Sequence, residues 1–236
     1  HTRCSRDWSS DVCSSDLFWK WWPEMYNEIH TFRITGGEPL LNKDTFKILD
    51  YIIDSETPNK KLSLCINSNL GVPQKIFDEF VNKVDRIINE ELVYEFIIFT
   101  SCDTWGEQAE YIRNGLNYND WLVNLERLLV EVPKVAISVT STYNILSVPS
   151  FKSFLQDVLD IKRQYGTPDY NPLLLDIPYL RHPEHQTVFI MEKEHLQYID
   201  DQITFMCQNI EHKDWHTTSN RGFYISEADK LKRIYT

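Results

Sequence analysis

The run ITGGEPLL, residues 34–41, carries the first chemistry the sequence offers. Two glycines at the end of a strand-like stretch let a ligand approach the backbone closely, because neither has a Cβ. The carbonyls of Gly36 and Gly37 and the carboxylate of Glu38 are hydrogen-bond acceptors. A ligand ammonium has only donors to offer, so the two sets match. Pro39 turns the chain toward the next helix. The glycine spacing differs from the phosphate-cradling fingerprints, whose glycines are further apart and face a helix N-terminus. A diglycine followed by an acid also serves plain turns, so its surroundings decide what it is for.

Those surroundings are rhythmic. Apolar, β-branched runs occur at 29–36, 62–69, 95–103, 134–142 and 172–180. Between them lie amphipathic segments long enough for helices, which reads as βα units with a parallel sheet. Asn42 is placed to cap one helix, and Pro73 opens another. A third is predicted to start after Asn119 and stop before Pro133. Phe151, Phe154, Leu155, Val158, Leu159 and Ile161 form one helical stripe, with Gly166 expected as a left-handed stop. Such a fold is an open doubly wound sheet or a barrel, and both place ligands at the carboxyl ends of the strands. Polar residues gather there in four places: Thr35 to Glu38, Asn67 to Asn69, Ser101 to Thr104 and Thr140 to Asn144. One such group is ordinary turn chemistry. Four at the same end make a shared site as good a reading as four separate turns.

Bulk properties exclude several classes. The chain has 236 residues, of which 42% are hydrophobic and 13% aromatic, enough for a core and against disorder. A net charge of −11 disfavours non-specific nucleic-acid binding. No apolar run approaches the roughly 18 residues of a membrane span, and no secretory signal is recognisable. The five cysteines, at 4, 13, 65, 102 and 207, include no CxxC pair, which reads as a reducing, cytoplasmic setting. Residues 1–17, HTRCSRDWSSDVCSSDL, lack periodicity. In one frame they match the translation of a sequencing-adapter oligonucleotide. They are expected to be non-native, with the native reading frame entered in mid-gene near Phe18. Residues 184–236 read as a mostly helical C-terminal appendage whose completeness KLKRIYT leaves open.

Together these motifs resemble the radical S-adenosylmethionine (radical SAM) superfamily over most of residues 18–183. The resemblance implies a partial (β/α)6 TIM-like barrel, here lacking its first strand. A GGEP-like element follows that family's second strand and holds the methionine amino group, and it maps to Gly36, Gly37 and Glu38. INSNLG, with Asn67 and Asn69, matches a TNG-like element after the third strand. TSCDT matches an S-x-D element near the ribose through Ser101 and Asp103, and Arg113 matches an arginine that meets the SAM carboxylate. Thr140, Ser141 and Asn144 occupy the same rim after the fifth strand. The stretches around AEYIR, NLERLL and YNILSVPSF look most like the twitch-domain branch. By resemblance, the parent enzyme would take an electron from flavodoxin or ferredoxin through a 4Fe–4S cluster. It would then cleave S-adenosylmethionine to a 5′-deoxyadenosyl radical and abstract hydrogen from an unknown substrate.

One departure matters. The superfamily binds its cluster through CxxxCxxC, since cluster iron is held by cysteine thiolates. No such motif occurs in this sequence. Its place would be upstream of Phe18, so the chain as written is expected to bind no cluster and to be inactive. Cys65 and Cys102 read as buried strand cysteines. His182, Glu184 and His185, and the i,i+4 pair His212 and His216, lack a convincing further zinc ligand and read as surface residues. Asp176, Tyr179 and Arg181 either face a substrate or form loop hydrogen bonds. Two other classes compete. One is a non-catalytic α/β domain that binds a small molecule on the same rim. The other is a metal-dependent hydrolase barrel, disfavoured because no strand ends in histidine.

Overall fold

The computed structural model describes residues 10–167, 170–211 and 221–233. Cys4, His212 and His216 lie outside the described residues, as does the side chain of Cys13. Five parallel strands pair in chain order: β1 (Thr31–Ile34), β2 (Ser63–Asn67), β3 (Glu95–Ser101), β4 (Ala136–Thr140) and β5 (Leu173–Asp176). Each falls inside one of the five predicted runs. β1 and β5 are the two edges of the sheet.

Helices alternate with the strands. α1 (Ser10–Tyr26) precedes β1, and its backbone continues through Ser10–Leu17 of the adapter-like segment. α2 (Lys43–Asp54), α3 (Gln74–Asn89), α4 (Gly106–Ile112) with α5 (Tyr118–Glu131), and α6 (Phe151–Tyr165) are the crossovers. α7 (Leu196–Gln208) and α8 (Ile225–Lys232) follow β5. Parallel connections are right-handed. A strand order without reversal therefore lays successive helices on one face, and α2, α3, α5, α6, α7 and α8 do pack each against the next.

Side-chain alternation shows which face the helices cover. Phe96, Ile98, Thr100, Ile137 and Val139 are buried, while their neighbours Ile97, Phe99, Ser101, Ser138 and Thr140 are half-exposed. Direct contacts agree: Trp22 of α1 packs on Phe32, Phe80 of α3 on Phe96, and the Trp121 indole of α5 donates to Thr100 Oγ1. Among the described residues no helix packs on the opposite face. Its side chains form rows across the register: Arg33, Cys65, Ile97 and Ala136, then Asn67, Phe99, Ser138 and Leu174, then Ser101, Thr140 and Asp176.

Helix ends follow local chemistry with two corrections. Asn42 caps α2 by accepting from Asp44 N at 2.9 Å, and Pro73 sits immediately before α3. The cap of α5 is Asn117, whose Oδ1 accepts from Asp120 N, two residues earlier than Asn119. Gly166 ends α6 in an extended conformation, φ −70° and ψ 143°, so its missing Cβ is not what stops the helix.

The segment beyond residue 183 joins the same core through Val188, Ile199, Met206, Phe223 and Leu231. A buried ion pair anchors it. Lys162 of α6 is wholly buried and donates to Glu227 Oε1 of α8 at 3.0 Å and to the Leu173 carbonyl at 2.8 Å. Glu227 in turn accepts from Leu175 N at 2.7 Å and from Tyr224 N at 2.9 Å. The pair thus satisfies backbone groups along the outer edge of β5. Burial pushes the Lys162 ammonium below its ordinary range, and the Glu227 carboxylate opposes that shift. Removing one partner of such a pair strands the other charge. Lys162→Met is expected to cost about 3 kcal/mol in urea denaturation. Lys162→Met combined with Glu227→Gln should recover at least part of that loss. Equal losses in the single and double variants would show that the pair is not the anchor.

Candidate functional site

The loop after β1 needs its first glycine. Gly36 has φ +97° and Gly37 φ +45°. A Cβ at either would meet nothing within 4 Å, so conformation rather than space requires glycine at 36. Both residues are exposed, and no hydrogen bond among the described residues uses either carbonyl. Glu38 differs. Its Oε1 accepts from Leu40 N at 3.1 Å and from Ser68 Oγ at 2.8 Å, and its Oε2 accepts from Asn69 N at 2.8 Å. The carboxylate therefore stitches the β1 loop to the β2 loop. It holds the diglycine turn in place, and the two free carbonyls remain as its open acceptors.

The other predicted residues divide by the direction of their side chains. Asn67 lies on the helix-free face, where its Oδ1 accepts from Arg33 Nε at 2.8 Å. The Arg33 guanidinium also lies 4.0 Å from the centre of the Phe99 ring, a cation–π contact. Ser101 and Thr140 are register partners on the same face. Neither hydroxyl makes a hydrogen bond among the described residues. Arg33, Asn67, Phe99, Ser101 and Thr140 thus share one surface near the strand ends.

The remaining candidates are engaged inside the loops. Asn69 Oδ1 accepts from Gly71 N at 2.8 Å. Asp103 is buried and paired with Arg113: Nη2 donates to Oδ1 at 3.1 Å, and Nε lies 2.7 Å from Oδ2 in an ionic contact without hydrogen-bond alignment. Thr142 N also donates to Asp103 Oδ1 at 2.7 Å. Ser141 is fully buried and donates to the Cys102 carbonyl. Asn144 accepts from Leu146 N and donates to the Thr142 carbonyl, closing its own turn. These groups fix the rim rather than line it.

Arg33 was not among the residues singled out from the sequence. The available signal was its place between Phe32 and Ile34. A charge alternating with apolar residues marks the wetter side of a strand. Among the described residues, Cys65, Cys102 and Cys207 do not assemble a metal site. Cys65 lies on the helix-free face in the row of Arg33, with its thiol pushed up chiefly by burial. Cys102 is buried, donates to the Thr104 carbonyl at 3.2 Å, and is pushed up to about 12, first by burial. Cys207 is exposed on α7. Glu192, Glu194 and His195 bring ligating atoms within 4.8 Å of one another, but all three are exposed, an arrangement common without a metal. Among the described residues no helix is long and apolar enough to cross a membrane.

Surface clefts lie in two kinds of place. One of about 420 Å³ sits on the helical layer between the start of α6 and α7, lined by residues such as Lys152, Gln156 and Phe205. None of the residues lining it is among the strand-end candidates. Another, of about 290 Å³, opens at the end of β5. Compared with known proteins, the chain matches no family model and no curated protein.

Two outcomes follow. Glu38→Gln replaces an oxygen acceptor with an NH2 group. It should lower stability by about 2 kcal/mol and speed hydrogen exchange at the Asn69 amide, read by NMR. A thiolate is the nucleophile in alkylation, and a raised pKa suppresses it. Iodoacetamide at mildly alkaline pH should modify Cys207 quickly and leave Cys102 unreacted in the native protein, as mapped by peptide mass spectrometry.

Proposed function

We propose that the helix-free face and its diglycine rim bind S-adenosylmethionine, and that the chain is the core of a radical SAM enzyme built on a partial (β/α)6 barrel. The carrying observation is the pair of exposed, unused Gly36 and Gly37 carbonyls beside a parallel sheet with one uncovered face. The carbonyls would receive the methionine ammonium. Arg113 is held by Asp103, so Arg33 is the cation on the uncovered face that would meet the carboxylate. The hydroxyls of Ser101 and Thr140 would meet the ribose, and Ile97, Phe99 and Leu174 offer apolar surface to the base. Support for the barrel comes from unreversed strand order with helices in one packed layer, which is how a barrel winds.

A flavodoxin or ferredoxin donor, a cytoplasmic setting and a hydrogen-abstraction substrate belong to the same reading. The 4Fe–4S cluster that such chemistry requires has no ligand set in Cys65, Cys102 and Cys207, by spacing or burial. No electron-transfer step is therefore assigned to these residues. Their part is to bind and orient the sulfonium nucleotide. The second reading is a non-catalytic α/β domain that binds a small molecule on the same face. It is favoured by the absence of CxxxCxxC from the sequence.

Isothermal titration of the full chain tests the binding claim. S-adenosylmethionine should bind saturably, with free methionine competing. Gly36→Ala and Arg33→Gln should each weaken it by about tenfold or more, a loss of about 1.4 kcal/mol. Gly36→Ala should cost only about 1–2 kcal/mol of stability from its left-handed backbone. An absence of binding, or affinity indifferent to both substitutions, sinks the assignment. Anaerobic reconstitution with iron and sulfide should give no stoichiometric cluster absorbance; a strong one would overturn the reading of the cysteines.

A further inference from the structure

The cleft at the end of β5 has a composition at odds with the rest of the molecule. It measures about 290 Å³ and is lined by Asp176, Ile177, Pro178, Tyr179, Arg181, Lys230 and Arg233. Three cations and one carboxylate converge there, in a chain whose formal charge is −11. Its walls are fixed by backbone bonds. Ser141 N donates to the Asp176 carbonyl at 2.8 Å, Tyr143 N to the Pro178 carbonyl at 2.7 Å, and Leu180 N to the Tyr143 carbonyl at 2.8 Å. The loop after β5 thus stays zipped to the loop after β4. The Tyr179 ring is braced edge-on by Phe189 at 5.6 Å.

The opposite wall is the last turn of α8. Glu227 seats this helix through the buried pair with Lys162, and Lys230 and Arg233 follow at successive three-residue steps on one helical face. Asp176 Oδ1 holds Lys230 Nζ at 2.6 Å and so fixes the ammonium at the cleft. Arg181 is exposed. Asp176 also ends the row of Ser101 and Thr140, so the cleft is continuous with the helix-free face.

We propose that this cleft is a binding site for the oxyanion of a small ligand, a carboxylate or a phosphate group, held by Arg181, Lys230 and Arg233. Arginine forks match the planar carboxylate and the phosphate oxygens, and a lysine fixed between them adds a point charge. The volume sits at the lower end of the range for small-molecule sites, which fits a compact metabolite rather than a polymer. The cleft is separate from the diglycine rim, and the assignment stands without the adenosylmethionine reading.

The full chain titrated with inorganic phosphate and, in a separate arm, with succinate tests this. Calorimetry and thermal melting should show saturable binding and a matching rise in Tm for at least one of the two, since a ligand of the native state stabilises it. The arm that binds identifies the oxyanion. Arg181→Gln should weaken binding by about tenfold, while Arg86→Gln on α3 leaves it unchanged. Asp176→Asn removes the one carboxylate among the described residues that line the cleft; loss of its charge should outweigh loss of the Lys230 tether and tighten binding, an effect that a purely structural role would not produce. Gly36→Ala should leave phosphate or succinate affinity intact, so failure at the rim and failure at the cleft are read separately. No saturable signal from either anion, wild-type affinity in Arg181→Gln, or weaker binding in Asp176→Asn would overturn the proposal.

Discussion

A parallel sheet cannot leave one face bare without consequence. Such sheets occur almost only with both faces covered, because their strands are built from residues that need burial. Here the helices lie in one packed layer, and the other face presents Arg33, Asn67, Ser101, Ser138 and Thr140 among Ile97, Phe99 and Leu174. The mixture is too polar for a second helical layer and too apolar for plain solvent. The proposed small-molecule ligand would suit that mixture, with the polar groups near the strand ends and the apolar ones beneath.

What keeps that face usable is that the rim's strongest polar groups are already occupied. Glu38 spends its carboxylate on three donors from two loops, and Asp103 spends its own on Arg113 and Thr142. Asp103 is buried, and a buried carboxylate left without partners is costly, whereas the half-buried Glu38 is fixed by its three donors. The result is a stiff rim whose open positions are weak individually: two carbonyls and two hydroxyls. Such a rim selects by geometry, which suits a ligand carrying its own charge.

The five strands and the cap at Asn42 were legible in the sequence because both are local signals, an apolar, β-branched run and a side chain two residues from its amide. The cap of α5 was misplaced because Asn117 and Asn119 both have the right chemistry, and only the backbone conformation at 117 selects between them. Gly166 looked like a left-handed stop, yet its conformation is one any residue adopts. The arrangement of the candidate residues was legible only in part. Residue types at strand ends pointed to Gly36, Asn67, Ser101 and Thr140. The pairing of Arg113 with Asp103 lay beyond that reading, because it depends on how two loops fold back over one another.

The Lys162–Glu227 pair was the least legible feature and links the two proposed sites. A lysine inside the apolar stripe of α6 reads as a solvated position, and its partner lies 65 residues away. Nothing local announces that the carboxylate will bond to the edge of β5. That bond decides where α8 sits, and α8 carries Lys230 and Arg233. The segment after residue 183 therefore finishes one wall of the strand-end surface. The basic cleft lies at one end of that surface because Glu227 closes the sheet edge there. The diglycine turn lies at the other end because Glu38 ties β1 to β2.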